Sequence, residues 1–296
     1  MKGEGKQLLC SYPIVLGKDR IHGCGQCQPC RINQSREWAL RILLEKRVAT
    51  QTMFTTLTYD DENLVEVLSK THVQAFLKRF RKYGYKFRYY CCGEYGDKSG
   101  RPHYHLCIFL GREHELGRFR IDTDRAWSMG RTNVRPVKDQ DNVASYVSRY
   151  VTKKATKQWD PDYPEWHLSS RRPGLGTGAI KYICDSLWKY DYFNQVNDVP
   201  PVMVCDGKTY PIPQFLKKRM REYMEEEYGF ICDPTTSQKI CSERYADAFE
   251  RFREERLRSE SELPGMYEDF GRFVADANEV RRYHTIRRSQ GSRGVL

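Results

Sequence analysis

Residues 87–110 constrain the fold more than any other stretch of this chain. Phe87–Tyr95 and Pro102–Leu110 are rich in aromatic and branched residues, and Gly96-Asp97-Lys98-Ser99-Gly100-Arg101 between them is a glycine-bounded turn. Two such runs around a short turn predict an antiparallel hairpin. Alternation along the second run places His103 and His105 on one face and Tyr104, Leu106 and Ile108 on the other. A turn centred between Lys98 and Ser99 sets Glu94 opposite His103 and Cys92 opposite His105, so one carboxylate and two imidazoles share a face. A slip of one residue would break that set.

Other elements follow from the pattern on either side. Residues 31–50 read as an amphipathic helix with Ile32, Ala39, Ile42 and Leu43 inward, and Gln51–Tyr59 as a strand ended by the turn Asp60-Asp61-Glu62-Asn63. Thr71 with Gln74 resembles a capping box opening a helix whose buried stripe is Val73, Phe76, Leu77 and Phe80. Residues 133–137 suit a short strand. Val143, Tyr146, Val147, Tyr150 and Val151 recur at helical spacing over residues 141–156. Strands and helices interleave too irregularly for repeated βαβ units, which favours an α+β fold: an antiparallel sheet covered by helices, with a mainly helical C-terminal region. Three regions are expected, a cysteine-rich N-terminal segment with the first helix (1–50), the sheet core with a basic extension (51–197) and a charged helical region (198–296). Asp198-Val199-Pro200-Pro201 marks the second boundary, and residues 215–227 and 243–258 are the clearest helices beyond it.

Composition narrows the class of partner. Fifty Lys+Arg against 39 Asp+Glu leave a net charge of +11, a balance that suits a polyanion such as nucleic acid and serves solubility equally well. No apolar run approaches the length a bilayer requires, and the N-terminal Met-Lys-Gly-Glu-Gly-Lys lacks the apolar core of a signal peptide, so a cytoplasmic protein with no membrane partner is expected. Eleven cysteines, an odd count without a secretion signal, favour thiols or metal ligands over a disulfide framework. Cys24, Cys27 and Cys30 are spaced as metal ligands with Cys10 available as a fourth; structural zinc, ordinary thiols and an iron–sulfur cluster all remain open.

Glu94, His103 and His105 form an N,N,O set that leaves coordination positions open for catalysis. Mg²⁺ or Mn²⁺ fits a phosphodiester substrate, while the ligand set alone also admits zinc or iron. The plain alternative is a pair of satisfied histidines in a half-buried sheet. A cupin-type oxygenase would place a glutamate four or five residues past the second histidine, where Phe109 and Leu110 stand. Tyr146 and Tyr150, one helical turn apart, are candidate nucleophiles if their helix faces the metal, and otherwise pack that helix onto the sheet. A phenol with an ordinary pKa near ~10 needs cationic help, which Lys153 and Lys154 can supply; as a solvated helix end they would merely favour the helix dipole.

Taken together, Phe54-Thr55-Thr56-Leu57-Thr58-Tyr59, Cys92-Gly93-Glu94-Tyr95-Gly96, Gly100-Arg101-Pro102-His103-Tyr104-His105 and Tyr146-Val147-Ser148-Arg149-Tyr150-Val151-Thr152-Lys153-Lys154 resemble the HUH endonucleases. The resemblance is to the two-tyrosine rolling-circle replication initiators of microvirus-type, gokushovirus-like single-stranded DNA phages, and Tyr104 replaces the hydrophobe usual between the histidines. It implies an HUH/Rep-like sheet and a metal at His103, His105 and Glu94 that orients the scissile phosphate. It also implies that one tyrosine nicks single-stranded DNA at an origin through a 5′-phosphotyrosine bond and the second transfers and circularises the strand. The implied partners are origin DNA and a host helicase or polymerase, in the host bacterial cytoplasm. Basic candidates for contacting the DNA are Lys78, Arg79, Lys82, Arg101, Arg131, Arg135, Arg171 and Arg172. A plasmid or transposon nuclease or relaxase of the same chemistry, and a non-enzymatic zinc-containing DNA-binding protein, are the competing readings.

Overall fold

Along the chain, β1 (Ile14–Val15) and β2 (Ile21–His22) precede α1 (Gln28–Val48), β3 (Gln51–Tyr59), α2 (Lys70–Lys82), β4 (Phe87–Tyr95), β5 (Pro102–Leu110), α3 (Leu116–Trp127), β6 (Gly130–Pro136) and β7 (Trp166–Ser169). A short 3-10 turn then leads to α4 (Ile180–Lys189), α5 (Tyr192–Val196), the hairpin β8 (Val202–Cys205) and β9 (Lys208–Pro211), and α6 (Gln214–Tyr228). The computed structural model describes residues 10, 14–15, 21–25, 27–96, 99–138 and 166–234. The chain divides into two units, Met1–Lys239 and Ile240–Leu296, and every described residue lies in the first. Residues 243–258 of the expected C-terminal helices, and the whole stretch 141–156, fall outside the described residues.

Five strands pair antiparallel in the order β6-β3-β5-β4-β7. The hairpin of β4 and β5 has the expected register, Glu94 opposite His103 and Cys92 opposite His105. One face of this sheet, including Leu57, Tyr104, Leu106 and Ile108, packs against Val73, Phe76, Leu77 and Phe80 of α2 and Phe119 and Trp127 of α3. Each such buried apolar side chain contributes on the order of 2 kcal/mol. The opposite face packs Phe54, Tyr90, Cys107 and Phe109 against Ile42 and Trp38 of α1. Gly130 starts β6 at φ +140°, where a Cβ would lie 2.3 Å from the Asp60 nitrogen and the Thr58 oxygen, so only glycine lets β6 close on β3 here.

Several local expectations are revised. Ser69, not Thr71, caps α2: the His72 N–H donates to Ser69 Oγ at 3.3 Å, and Thr71 sits inside the first turn. Helix α1 starts at Gln28 because Pro29 is favourable in a first turn, and its inward face is broader than expected, adding Leu40, Leu44 and Glu45 while Ile32 is only half-buried. Strand β7 arises where proline-rich turns were expected; four residues are too few to show alternation. Asp198 is no break in packing, being buried and held by Arg221 of α6, with Nε and Nη2 donating to the two carboxylate oxygens at 2.7 and 2.8 Å. Val199, Cys205, Tyr210 and Leu216 share a core with Ala39, Leu40 and Leu44 of α1. No helix among the described residues is long and apolar enough to cross a membrane.

Candidate active site

The sheet brings three donors together near the ends of its central strands. Glu94 Oε1 lies 2.8 Å from His103 Nε2 and 3.0 Å from His105 Nε2. Ligands of an octahedral Mg²⁺ at about 2.1 Å stand ~3.0 Å apart, so the spacing suits one small cation. All three ligand atoms lie within 4.8 Å of one another. Burial pushes the Glu94 carboxyl up, but hydrogen bonds from the His103 and His105 imidazoles outweigh it and hold the group down to about 2. A set of lone pairs converging on one point requires positive charge among them, supplied by protons or by a metal.

The outer nitrogens are held as well. In the tautomer that leaves Nε2 bare, His103 Nδ1–H donates to the Arg101 carbonyl at 3.1 Å and His105 Nδ1–H to Thr56 Oγ1 at 3.0 Å. Such contacts fix ring orientation and raise ligand basicity. Thr56 was visible only as one of four strand threonines; its pairing opposite His105 across β3 and β5 is the signal that identifies it. Phe54 stacks on the His105 ring with centroids 5.6 Å apart, and the Arg135 guanidinium lies 5.1 Å from the Phe54 centroid on its other neighbour, β6. Tyr104 points to the opposite face, where its hydroxyl accepts from the Ser69 N–H at 2.8 Å and bonds the Tyr59 hydroxyl at 2.8 Å. The larger residue between the histidines is therefore accommodated without touching the ligands.

Residues 52–155 match the family model of the Replication-associated protein ORF2 family, a range that contains Glu94, His103, His105, Tyr146, Tyr150, Lys153 and Lys154. Residues 52–155 are a replication-associated ORF2-family domain. The chain is 28% identical over 228 residues to the Replication-associated protein ORF4 of Chlamydia phage 1, a match covering 70% of this chain and 55% of that protein. It is 29% identical to the Replication-associated protein VP4 of Bdellovibrio phage phiMH2K and 29% identical to the Replication-associated protein ORF2 of Spiroplasma virus 4, each match covering 69% of both chains. The chain thus spans about half the length of the Chlamydia phage relative. Among solved structures, the hypothetical protein ORF119 of Sulfolobus islandicus rod-shaped virus 1 overlaps 40% of this chain and 95% of its own at 18% identity and a TM-score of 0.27. The N-terminal nuclease domain of the minute virus of mice non-structural protein 1 overlaps 52% of this chain and 83% of its own at 7% identity and a TM-score of 0.20.

The remaining candidates scatter around the ORF2-family domain. Tyr146, Tyr150, Lys153 and Lys154 lie outside the described residues. Arg131 and Arg135 are exposed on edge strand β6, on the same face as the three donors. Arg101 holds the end of β3, donating to the Tyr59 carbonyl at 2.9 Å and pairing with Asp61. Lys78, Arg79 and Lys82 belong to α2, which covers the opposite face of the sheet, and Arg79 donates to the Ala126 carbonyl at 2.7 Å at the end of α3. Arg171 and Arg172 follow Ser170, whose N–H donates to the Tyr89 carbonyl, five residues or ~17 Å along β4 from Glu94. Neither group adjoins the three donors. Cys10, Cys24, Cys27 and Cys30 form a second cluster with four sulfurs within 4.8 Å.

Proposed function

We propose that the chain is a rolling-circle replication initiator that nicks single-stranded DNA at a viral origin through tyrosine and later rejoins it. The observation carrying this reading is Glu94 Oε1 set between His103 Nε2 and His105 Nε2, in a domain whose family match continues through Tyr146 and Tyr150. Its relatives are replication-associated proteins of phages. Glu94, His103 and His105 would hold Mg²⁺ or Mn²⁺, which supplies Lewis acidity to a phosphoryl oxygen.

In this reading the phenol oxygen of Tyr146 or Tyr150 attacks phosphorus. A tyrosyl O–P bond forms, the P–O3′ bond breaks, and the phenol proton ends on the departing 3′ oxygen. Lys153 and Lys154 favour the phenolate and the charge that develops on phosphate. The products are a 5′-phosphotyrosine and a 3′-OH that primes a host polymerase, with a host helicase opening the duplex in the bacterial cytoplasm. The second tyrosine attacks the regenerated origin, and the released 3′-OH displaces the first tyrosine to close the circle. Bond energy is conserved in each exchange, so no nucleotide cofactor is needed. Residues 139–165 join edge strand β6 to β7, and Trp166 at their end pairs with Gly93, next to Glu94, which supports delivery of the tyrosines to this end of the sheet. Arg131 and Arg135 supply phosphate contacts on the same face.

Full-length protein incubated with Mn²⁺ and labelled single-stranded origin DNA is expected to leave a denaturation-resistant adduct, lost with chelator and in a Tyr146→Phe/Tyr150→Phe double variant. No adduct with any phage-origin strand, or an undiminished one in the double variant, rules the tyrosine mechanism out.

A further inference from the structure

We infer that Cys10, Cys24, Cys27 and Cys30 hold one structural zinc ion, separate from the cation at Glu94, His103 and His105. Four thiolates around zinc at ~2.3 Å form a tetrahedron whose edges are ~3.8 Å. Cys10 Sγ and Cys27 Sγ stand 3.7 Å apart, and all four sulfurs lie within 4.8 Å of one another. A disulfide would instead draw a pair to about 2.05 Å.

Backbone groups favour thiolates at the same place. The Cys24 N–H donates to Cys10 Sγ at 3.1 Å and the Cys27 N–H to Cys24 Sγ at 3.2 Å, bonds that stabilise negative sulfur. Cys27 is the N-cap of α1 and Cys30 lies in its first turn, so the positive end of the helix dipole faces the cluster. No acidic side chain occupies that turn and Cys27 makes no side-chain cap bond, which leaves the thiolates as the negative partner of the helix end. Gly23 makes the room: a Cβ there would lie 3.0 Å from Cys30 Sγ and 3.8 Å from the Cys10 Cβ.

Four protein ligands close the coordination sphere, which makes the centre structural and not catalytic. It also answers a local need. The ribbon of β1 and β2 has only two residues per strand, far too little to hold itself against α1 by apolar burial. Metal bonds cross-link Cys10 and Cys24 to the start of the helix whose Ile42 packs under the sheet.

Full-length protein purified without chelators is assayed for zinc and iron by mass spectrometry and then exchanged with Co²⁺. About one zinc per chain is expected, unchanged in a His103→Ala/His105→Ala variant and lost in Cys27→Ser. Cobalt should give an intense sulfur-to-metal charge-transfer band in the wild type and in the histidine variant. Gly23→Ala, which keeps all four ligands, should weaken zinc binding by about 10-fold or more. Folded wild-type protein without zinc overturns the inference, as do iron with sulfide, a cobalt spectrum lacking the thiolate band, or a Cys10–Cys27 disulfide in protein never exposed to oxidant.

Discussion

Thr56 Oγ1 lies 3.0 Å from His105 Nδ1 at directly paired positions of β3 and β5, and the contact turns the other ring nitrogen toward Glu94. Removing the hydroxyl while keeping the branched shape should free the ring. Thr56→Val is therefore expected to weaken Mn²⁺ binding about 10- to 100-fold, with Thr56→Ser restoring most of it. Calorimetric titration of the two variants checks this, and equal affinity in Thr56→Val and wild type would remove Thr56 from the site.

Strand β6 separates the basic residues by position. Arg131 and Arg135 share the face of the metal ligands, whereas Lys78 and Lys82 ride on the helix behind the sheet. Replacing both arginines with Gln should lower single-stranded DNA affinity and reduce the slope of log K against log salt by ~0.7 for each lost phosphate contact. Lys78→Gln/Lys82→Gln should leave both unchanged in the same fluorescence-anisotropy assay.

Asp198 is fully buried and its carboxylate is bonded at both oxygens by Arg221. Asp198→Asn leaves a buried guanidinium without its counter-charge, at a cost of about 3–5 kcal/mol. A clear fall in Tm by calorimetry is expected; a Tm within a degree of wild type would show that the pair contributes little.

Alkaline pH acts on the buried phenols. Burial and the hydrogen bond donated to Asp122 push Tyr85 up to about 12, and burial drives Tyr59 and Tyr90 higher still. In the unfolded chain these groups lose their protons near ~10, while the folded chain retains them. Stability is therefore constant with respect to these groups below ~10 and declines as pH rises from there through about 12. Circular dichroism with tyrosinate absorbance should show these phenols ionising together with unfolding, and Tyr85→Phe should make the decline shallower.

The ligand set was legible because everything that defines it is local. A six-residue turn and period-two alternation determine which residues of β4 and β5 face each other, and Glu94, His103 and His105 follow. The buried stripe of α2 was readable for the same reason, at a period of 3.6. The hairpin of β8 and β9 had its own signal, Asp206-Gly207 with both residues at positive φ, which a closer look at that dipeptide would have found. Strand β7 had none, since it exists by pairing with β4 from more than seventy positions away.

By itself the sequence determined the hairpin register, the metal-ligand set and the family resemblance, since alternation, turn length and motif order are carried by neighbouring residues. Tertiary structure alone decided which basic residues share the face of the site, that Asp198 lies inside a core, and that Thr56 and the Arg101 carbonyl orient the two imidazoles. Those facts depend on which face of the sheet each helix covers and on which strands become neighbours. Long-range packing settles both, and no local pattern encodes it.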